Sequence, residues 1–178
     1  MWIFGYGSII WKPGFEYVDR QVGFIRGWKR CFYQGSFDHR GEPGRPGRVV
    51  TLLPAEDAHC WGMAYRIEGG EAERVLSELD HREKGGYQRF SEPVFGRLEC
   101  GTMEPVVSEA LVYVAEEGNP NYLGAASIEV IAHQILGAHG PSGSNVDYLL
   151  RLAQALREWG LDDDHVFALE KALAELMG

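Results

Sequence analysis

Apolar positions in the first part of the chain occur in short runs rich in aromatic and β-branched residues, a pattern that favours β-strands. The predicted strands are Met1–Gly5, Val22–Gln34, Arg48–Leu53, Cys60–Ile67, Gln88–Phe95 and Ala110–Ala115. The last of these contains a continuous apolar run from Leu111 to Val114. We therefore expect that strand to be buried on both faces.

Helical spacing of apolar residues interrupts the strands once and then dominates the chain after Tyr122. The first predicted helix follows Gly69-Gly70, carries Val75, Leu76 and Leu79 on one face, and stops at Gly85-Gly86. Three further helices are predicted near the C-terminus, because a capping residue precedes each apolar stripe. The predicted caps are Ser127, Asn145, and either Asp162 or Asp163.

Strands followed by helices are typical of an α+β fold. The chain has 178 residues, the usual size of one domain, and no internal repeat or low-complexity linker divides it. We therefore expect a single domain over residues 1–178. It should be a curled sheet or small barrel with helices mainly at the C-terminal end.

The charge and the apolar pattern argue against several classes of protein. Seventeen basic against 26 acidic residues give a formal net charge of −9, which disfavours nucleic acid as a partner. No apolar run reaches membrane-spanning length, and the N-terminal residues do not resemble a signal peptide. The three cysteines match neither a disulfide framework nor a CxxC metal site, so we expect reduced, partly buried thiols: Cys31, Cys60 and Cys100. These features together predict a cytoplasmic protein.

Motifs for cofactors and metals are missing from the sequence. It has no GxxxxGK[ST] phosphate loop, no complete GxGxxG fingerprint, no HExxH pair and no GxSxG elbow. His133 and His139 are six residues apart, so on one helix they would point to different sides. We therefore expect no cofactor and no metal, and chemistry carried by carboxylates, hydroxyls and backbone amides.

The first candidate site is the GYGSIIW stretch after the first predicted strand. Two glycines around a tyrosine allow a sharp turn whose N–H groups can bind a carboxylate or an oxyanion. The alternative is a tight structural turn with aromatic side chains in the core. The candidate binding residues here are Tyr6, Gly7, Ser8, Ile9, Ile10 and Trp11.

The second candidate site is Glu83, in the DHREKGGY stretch at the end of the first predicted helix. The helix C-terminus and burial would raise the pKa of this carboxyl group, which suits acid/base catalysis near neutrality. Arg82 and Lys84 would lower it, so the direction of the shift remains open. A solvated charge cluster at a helix end is the alternative.

Two further candidates lie in polar loops. Tyr148 follows the GPSGSNVD segment in the first turn of a predicted helix, where its phenol can reach a cleft or simply pack in the core. Arg40 and Arg48 can bind an anionic peptide end, because guanidinium pairs with carboxylates in a bidentate manner. Arg45 in the same segment fits a soluble loop better.

Taken together and in order, these segments closely resemble the ChaC-type glutathione-specific γ-glutamylcyclotransferases. The resemblance runs from Met1 through the final helix, and its most specific part is the combination of GYGS with WG-AYR and REKGGY. Two small departures are Ile9 in place of the usual leucine and Ser144 where a basic residue is frequent. The segments that carry the resemblance are FGYGSIIW, FYQGSFDHRG, PGRPGRVVTL, WGMAYR, REKGGY, NPNYLG and GPSGSNVDYL.

The resemblance implies a mixed β-barrel, no cofactor and no metal. It implies Glu83 as the catalytic acid/base, the loop from Tyr6 to Ile9 as the cradle of the γ-glutamyl group, and Tyr148 as a further contact. The implied substrate is glutathione, and we expect a monomer or weak homodimer without nucleic-acid or membrane partners. Alternatives are a cyclotransferase for other γ-glutamyl amines or amino acids, and a non-catalytic module that binds γ-glutamyl peptides.

Overall fold

The computed structural model describes residues 1–82, 86–97 and 101–178. Five strands close into a barrel in the order β1-β3-β2-β4-β5. All neighbouring pairs are antiparallel except β1 and β5, which meet in parallel at Ile3 and Leu111. The strands are β1 (Trp2–Gly5), β2 (Asp19–Ser36), β3 (Gly47–Arg66), β4 (Gln88–Arg97) and β5 (Met103–Val114).

The helices confirm the predicted α+β class. Three of the four helices in the described part of the chain follow the barrel strands, and a two-stranded hairpin, β6 (His139–Gly140) and β7 (Gly143–Ser144), separates two of these three. The helices are α1 (Ala72–Arg82), α2 (Ile128–Gly137), α3 (Asn145–Glu158) and α4 (Asp164–Met177); short 3₁₀ turns cover Ser8–Ile10 and Gly69–Glu71. No helix in the described ranges combines the length and apolar character needed to cross a membrane.

Two strand predictions were wrong in extent. The predicted strands Arg48–Leu53 and Cys60–Ile67 are parts of one strand, β3, because Pro54 and His59 between them pair with β2 on either side of a register shift. That pairing tolerates Pro54 because it lies opposite Trp28, at a register shift in the sheet. The first part of β5 was missed because exposed residues interrupt its apolar positions, whereas its continuous apolar second part was predicted.

Helix capping confirms two predictions and corrects a third. Ser127 caps α2 and Asp163 caps α4, each accepting a backbone N–H three residues ahead. Helix α3 is capped by Ser144 rather than Asn145. Asn145 instead turns inward, where its Oδ1 accepts the Arg48 N–H at 2.6 Å and its Nδ2 donates to the Arg48 carbonyl at 2.7 Å.

The main core lies between the barrel and the C-terminal helices. Side chains from the barrel strands, such as Phe32 and Leu52, belong to the same buried cluster as Ile131, Leu152 and Leu169 of the helices. A second buried cluster joins α1 to the barrel through Val75, Leu79, Met63, Tyr65 and Tyr113. Helix α1 therefore has its own apolar attachment to the barrel.

Candidate active site

A cleft of about 760 Å³ opens between the ends of β1 and β2, the start of β3 and the start of α3. Its described lining mixes aromatic rings, small residues and a few charged groups. We call residues 5–11, which begin with the last residue of β1, the cleft loop; all of them except Ile10 line the cleft. The other described lining residues are Phe4, Lys12, Gly14, Gln34, Gly35, Ser36, Asp38, His39, Arg40, Val49, Val50, Tyr87, Tyr113, Asn121, Pro141, Ser142 and Tyr148.

The cleft loop approaches the opposite wall too closely for a side chain at position 7. A Cβ atom on Gly7 would lie 2.9 Å from the Tyr148 hydroxyl oxygen and 3.0 Å from Cγ2 of Val50. This close contact favours glycine at position 7. The backbone of the loop is thereby brought against Tyr148.

Buried polar side chains hold the cleft loop in place. The Tyr6 hydroxyl donates to the Tyr113 carbonyl at 2.7 Å, which ties the loop to β5. The carbonyl of Tyr6 accepts from Nε of Arg30 at 2.8 Å, and the Tyr65 hydroxyl donates to the Ile10 carbonyl at 2.8 Å. These bonds come from three strands, so the barrel determines the backbone path of the loop.

Tyr148 is placed by the first turn of α3 and is only 5% exposed. Its ring packs edge-on against Trp11, with centroids 5.4 Å apart, and against Phe32, with centroids 5.9 Å apart. The hydroxyl lies 3.5 Å from the Val50 backbone nitrogen, at the limit of a hydrogen bond. Both interpretations from the sequence therefore hold in part: the ring belongs to the core and the residue lines the cleft.

The two arginines that were expected to bind an anionic peptide end have different positions. Arg40 lines the cleft, where one nitrogen, Nη1, donates to the Ser144 carbonyl at 3.0 Å and lies 3.3 Å from an Asp147 carboxylate oxygen. Hydrogen bonds from Arg151 and Arg40 lower the pKa of Asp147, so Arg40 faces a charged carboxylate. Its guanidinium also lies 5.6 Å from the centre of the Tyr148 ring.

Arg48 lies outside the described lining of the cleft and is 5% exposed. Its Nη1 donates to the carbonyls of Phe32 at 3.0 Å and Gly124 at 2.8 Å, and its Nε donates to Gln134 at 2.7 Å. The guanidinium thus connects β2, the segment before α2, and α2 itself. Its partners are those of a structural residue.

The C-terminal end of α1 is tied to the cleft by a hydrogen bond. The Tyr113 hydroxyl donates to the Asp80 carboxylate at 2.8 Å, and Arg89 also binds this carboxylate. Burial raises the pKa of Tyr113, and the bond to Asp80 raises it further; the bonds from Arg89 and Tyr113 lower the pKa of Asp80. Tyr113 therefore remains a neutral donor and Asp80 a charged acceptor.

Glu83 lies outside the described residues, as do Lys84 and Gly85. The described residues on both sides belong to the cleft region. Asp80, three positions earlier, binds Tyr113 of the cleft wall, and Tyr87, four positions later, lines the cleft itself. A Cβ atom on Gly86 would lie 2.9 Å from Nδ2 of Asn119.

The sequence analysis missed a group of buried amides in the cleft wall. Gln34, 2% exposed, donates through Nε2 to Oδ1 of Asn119 at 3.1 Å, and the same oxygen accepts the Asn121 N–H at 2.8 Å. Within the described ranges, Oε1 of Gln34 is the one buried side-chain oxygen without a hydrogen-bond partner. The QGS and NPNY motifs were the available signals, but neither indicates that the two segments meet.

The cleft therefore brings together most of the candidate residues. Tyr6, Gly7, Ser8, Ile9, Trp11, Arg40 and Tyr148 all line it. Ile10 does not belong to the described lining, because its side chain is 4% exposed within the core, and Arg48 is excluded in the same way.

Cys31 and Cys60 are free and buried, and burial raises the pKa of each to about 11; Cys100 lies outside the described residues.

Comparison with known families gives a full-length match. The model of the family described as "ChaC-like protein" matches residues 1–176. The chain belongs to the ChaC-like family. A relative in this family, glutathione-specific gamma-glutamylcyclotransferase 1 of Danio rerio, is 48% identical over 97% of this chain and 88% of its own. Gamma-glutamylcyclotransferase 2-3 of Arabidopsis thaliana is 45% identical over 99% of this chain and 90% of its own.

A solved structure supports the same conclusion about the fold. The yeast gamma-glutamyl cyclotransferase specific to glutathione has a TM-score of 0.88 and 29% identity to this chain. The match covers 98% of this chain and 96% of the yeast one. The barrel and the helices of this ChaC-like chain are thus those of a γ-glutamylcyclotransferase fold, which confirms the predicted family and fold class.

Proposed function

We propose that this chain is a glutathione-specific γ-glutamylcyclotransferase that releases 5-oxoproline and cysteinylglycine. The observation that carries the proposal is one cleft lined by the cleft loop, Tyr148, Arg40 and Tyr87, with Asp80 bound to Tyr113 of its wall, so that described residues close to Glu83 along the chain reach the cleft. Glutathione-specific names among full-length relatives support the substrate. We further propose a cytoplasmic location, since glutathione is a soluble cytoplasmic thiol and the sequence predicts reduced cysteines.

The reaction needs no nucleophile from the protein. The α-amine of the γ-glutamyl group attacks its own γ-carbonyl, closes a five-membered lactam and expels the amine of cysteinylglycine. Well-oriented intramolecular reactions reach effective molarities of roughly 10⁵–10⁸ M, so selecting the cyclising conformer supplies much of the acceleration. The cleft loop and Tyr148, which touch each other in the wall of the cleft, are suited to holding that conformer.

Two proton transfers remain for the protein to catalyse. The attacking amine has a pKa near ~8 and must lose a proton, and the leaving amine must gain one. A single carboxylate between the two nitrogens can perform both transfers, and we assign this role to Glu83. Asp80, the nearest described carboxylate along the chain, is engaged by Tyr113 and Arg89, with a lowered pKa that makes it a poor base.

The cleft offers complementary groups to the rest of the substrate. Backbone amides of the cleft loop suit an anionic oxygen of the γ-glutamyl group. Arg40 is suited to the carboxylate of the peptide end, because among the described residues only its Nη1 has hydrogen-bond partners in the protein and the other guanidinium nitrogens remain available. We therefore assign the γ-glutamyl end of glutathione to the cleft loop and the peptide end to Arg40.

The decisive test of this mechanism is Glu83→Gln. Loss of a general acid/base lowers kcat by typically ~10²–10⁴-fold while substrate affinity is retained. The matched control is Glu73→Gln, the same change at an exposed position of the first turn of α1. Rates are measured from 5-oxoproline by mass spectrometry and binding by calorimetry. Near wild-type kcat in Glu83→Gln would reject Glu83 as the acid/base, and activity on other γ-glutamyl compounds at equal kcat/KM would reject the specificity for glutathione.

A further inference from the structure

Arg30 is a fully buried cation that contacts the cleft loop from behind. Its side chain has 0% exposure, and it does not belong to the described lining of the cleft. Nε donates to the Tyr6 carbonyl at 2.8 Å, Nη1 pairs with Asp163 at 2.7 Å, and Nη2 contacts the Trp61 carbonyl. Three nitrogens of one rigid group thus bind the cleft loop, β3 and the start of α4.

The bond to the Tyr6 carbonyl determines where the next N–H group points. The carbonyl and N–H of a trans peptide point in opposite directions from the same plane. Since Arg30 holds the Tyr6 carbonyl toward the interior, the Gly7 N–H of that peptide points away from the interior. Gly7 itself lies against Tyr148 and Val50, both of which line the cleft. A cationic donor on the carbonyl also polarises the peptide, which strengthens its N–H as a donor.

Asp163 explains how a buried cation is kept at this position. Its Oδ2 pairs with Arg30, whereas its Oδ1 accepts the Val166 N–H at 3.0 Å and caps α4. A buried charge requires a partner and saturated hydrogen bonds, and this carboxylate supplies the counter-charge. The start of α4 therefore has a second task besides packing, which is to hold the guanidinium against the cleft loop.

We propose that Arg30 is a positioning residue for the cyclisation: from inside the barrel it orients and polarises the Tyr6–Gly7 peptide, so that the Gly7 N–H is presented to the γ-glutamyl group, and Asp163 holds Arg30 in place. The proposal rests on the function proposed above. It assigns no contact between Arg30 and substrate. A substitution of Arg30 or Asp163, behind the cleft, should therefore alter both the Tyr6–Gly7 peptide group and the rate of cyclisation.

The sequence allows that peptide to be observed alone. Tyr6-Gly7 is the only Tyr-Gly step in the 178 residues. Protein labelled with ¹³C at tyrosine carbonyls and ¹⁵N at glycine therefore gives a single carbonyl–amide cross-peak. In Arg30→Lys, a single ammonium group replaces the planar guanidinium group with its three nitrogens. The ammonium group cannot reach all three acceptors. We expect the carbonyl signal to move to lower frequency and kcat/KM for glutathione to fall at least ~10-fold.

Two further variants separate positioning from loss of stability. Asp163→Asn keeps a good helix cap but removes the counter-charge, so the same cross-peak should move less and kcat/KM should fall less. It also keeps the proposal testable if Arg30→Lys does not fold. Leu173→Ala removes a buried side chain, 1% exposed, near the other end of α4; it should lower the melting temperature while the cross-peak and kcat/KM stay unchanged.

Unchanged kcat/KM in folded Arg30→Lys and Asp163→Asn would overturn the proposal. An equal loss in Leu173→Ala at matched stability would also overturn it, because the effect would then be one of general destabilisation. A wild-type protein that forms no 5-oxoproline would instead contradict the proposed function. In that case the cross-peak still decides whether Arg30 orients the Tyr6–Gly7 peptide, since it is recorded without substrate.

Discussion

The cleft loop and the C-terminal helices are both buried against the barrel, but different forces hold them. The loop is held by hydrogen bonds from buried polar side chains to its backbone, supplied by Arg30 and Tyr65, and by the Tyr6 hydroxyl itself. The helices are held mainly by apolar side chains such as Leu152 and Leu169. Directional bonds fix the position of a backbone, whereas apolar burial stabilises without fixing direction. Changes in the loop should therefore affect activity first, and changes in the helices should affect stability first.

Among changes that compare the cleft loop with the C-terminal helices, Gly7→Ala should cause the greatest loss of activity. The added methyl group would meet the Tyr148 hydroxyl and Val50, so the loop backbone must move. A displacement of about 1 Å at a reacting centre costs roughly 10²-fold in rate, and we expect that loss in kcat/KM for glutathione. The matched control is Gly70→Ala, where a Cβ atom meets nothing within 4 Å. Equal activity of the two variants would contradict the close approach of the loop to Tyr148.

A smaller effect should distinguish Arg40 from Arg48. In Arg40→Met, the loss of a charged hydrogen bond to the substrate should raise KM about 10-fold. In Arg48→Met, the buried carbonyls of Phe32 and Gly124 lose their donor, so the free energy of unfolding should fall by at least about 2 kcal/mol. Steady-state kinetics and denaturant unfolding of both variants measure the contrast. A raised KM in Arg48→Met alone would reverse the assignment and return Arg48 to the substrate site.

The smallest effect concerns the attachment of α4 to β2. His165 accepts the Phe32 N–H through Nε2 at 3.0 Å, and burial lowers the pKa of this imidazole. Because the folded state disfavours the proton, its contribution to stability is complete above the unfolded pKa of about 6.5 and is lost as the pH falls toward the lowered folded value. Lys29, Arg30 and Arg48 also disfavour the proton, whereas Asp163 favours it.

Chemical denaturation from pH 7.5 to pH 5 tests this contribution. The free energy of unfolding should fall by at most about 1.4 kcal/mol per pH unit more in the wild type than in His165→Gln. Glutamine is the control because it can still accept the Phe32 N–H without titrating. The same slope in both proteins would show that His165 does not make α4 sensitive to pH. Since the cleft loop is not involved, the two proteins should have the same kcat per folded molecule at each pH.

The apolar packing of the C-terminal helices could be predicted from the sequence better than the hydrogen bonds that hold the cleft loop. The stripes of α2, α3 and α4 and the buried run in β5 are local patterns, and they were found. The bonds that hold the cleft loop join residues far apart in the chain, such as Tyr6 and Tyr113, 107 positions apart. No local pattern encodes such a pair. For the same reason Arg40 and Arg48 could not be distinguished, although they lie eight positions apart on one loop and strand.

In the proposed reaction the γ-glutamyl bond is broken by the substrate's own amine and not by water. The most direct measurement is to incubate the purified protein with reduced glutathione in H₂¹⁸O and analyse the products by mass spectrometry. We expect equal amounts of 5-oxoproline and cysteinylglycine, with no ¹⁸O in the 5-oxoproline, because cyclisation consumes no water. Free glutamate carrying ¹⁸O would show hydrolysis and contradict the proposed mechanism.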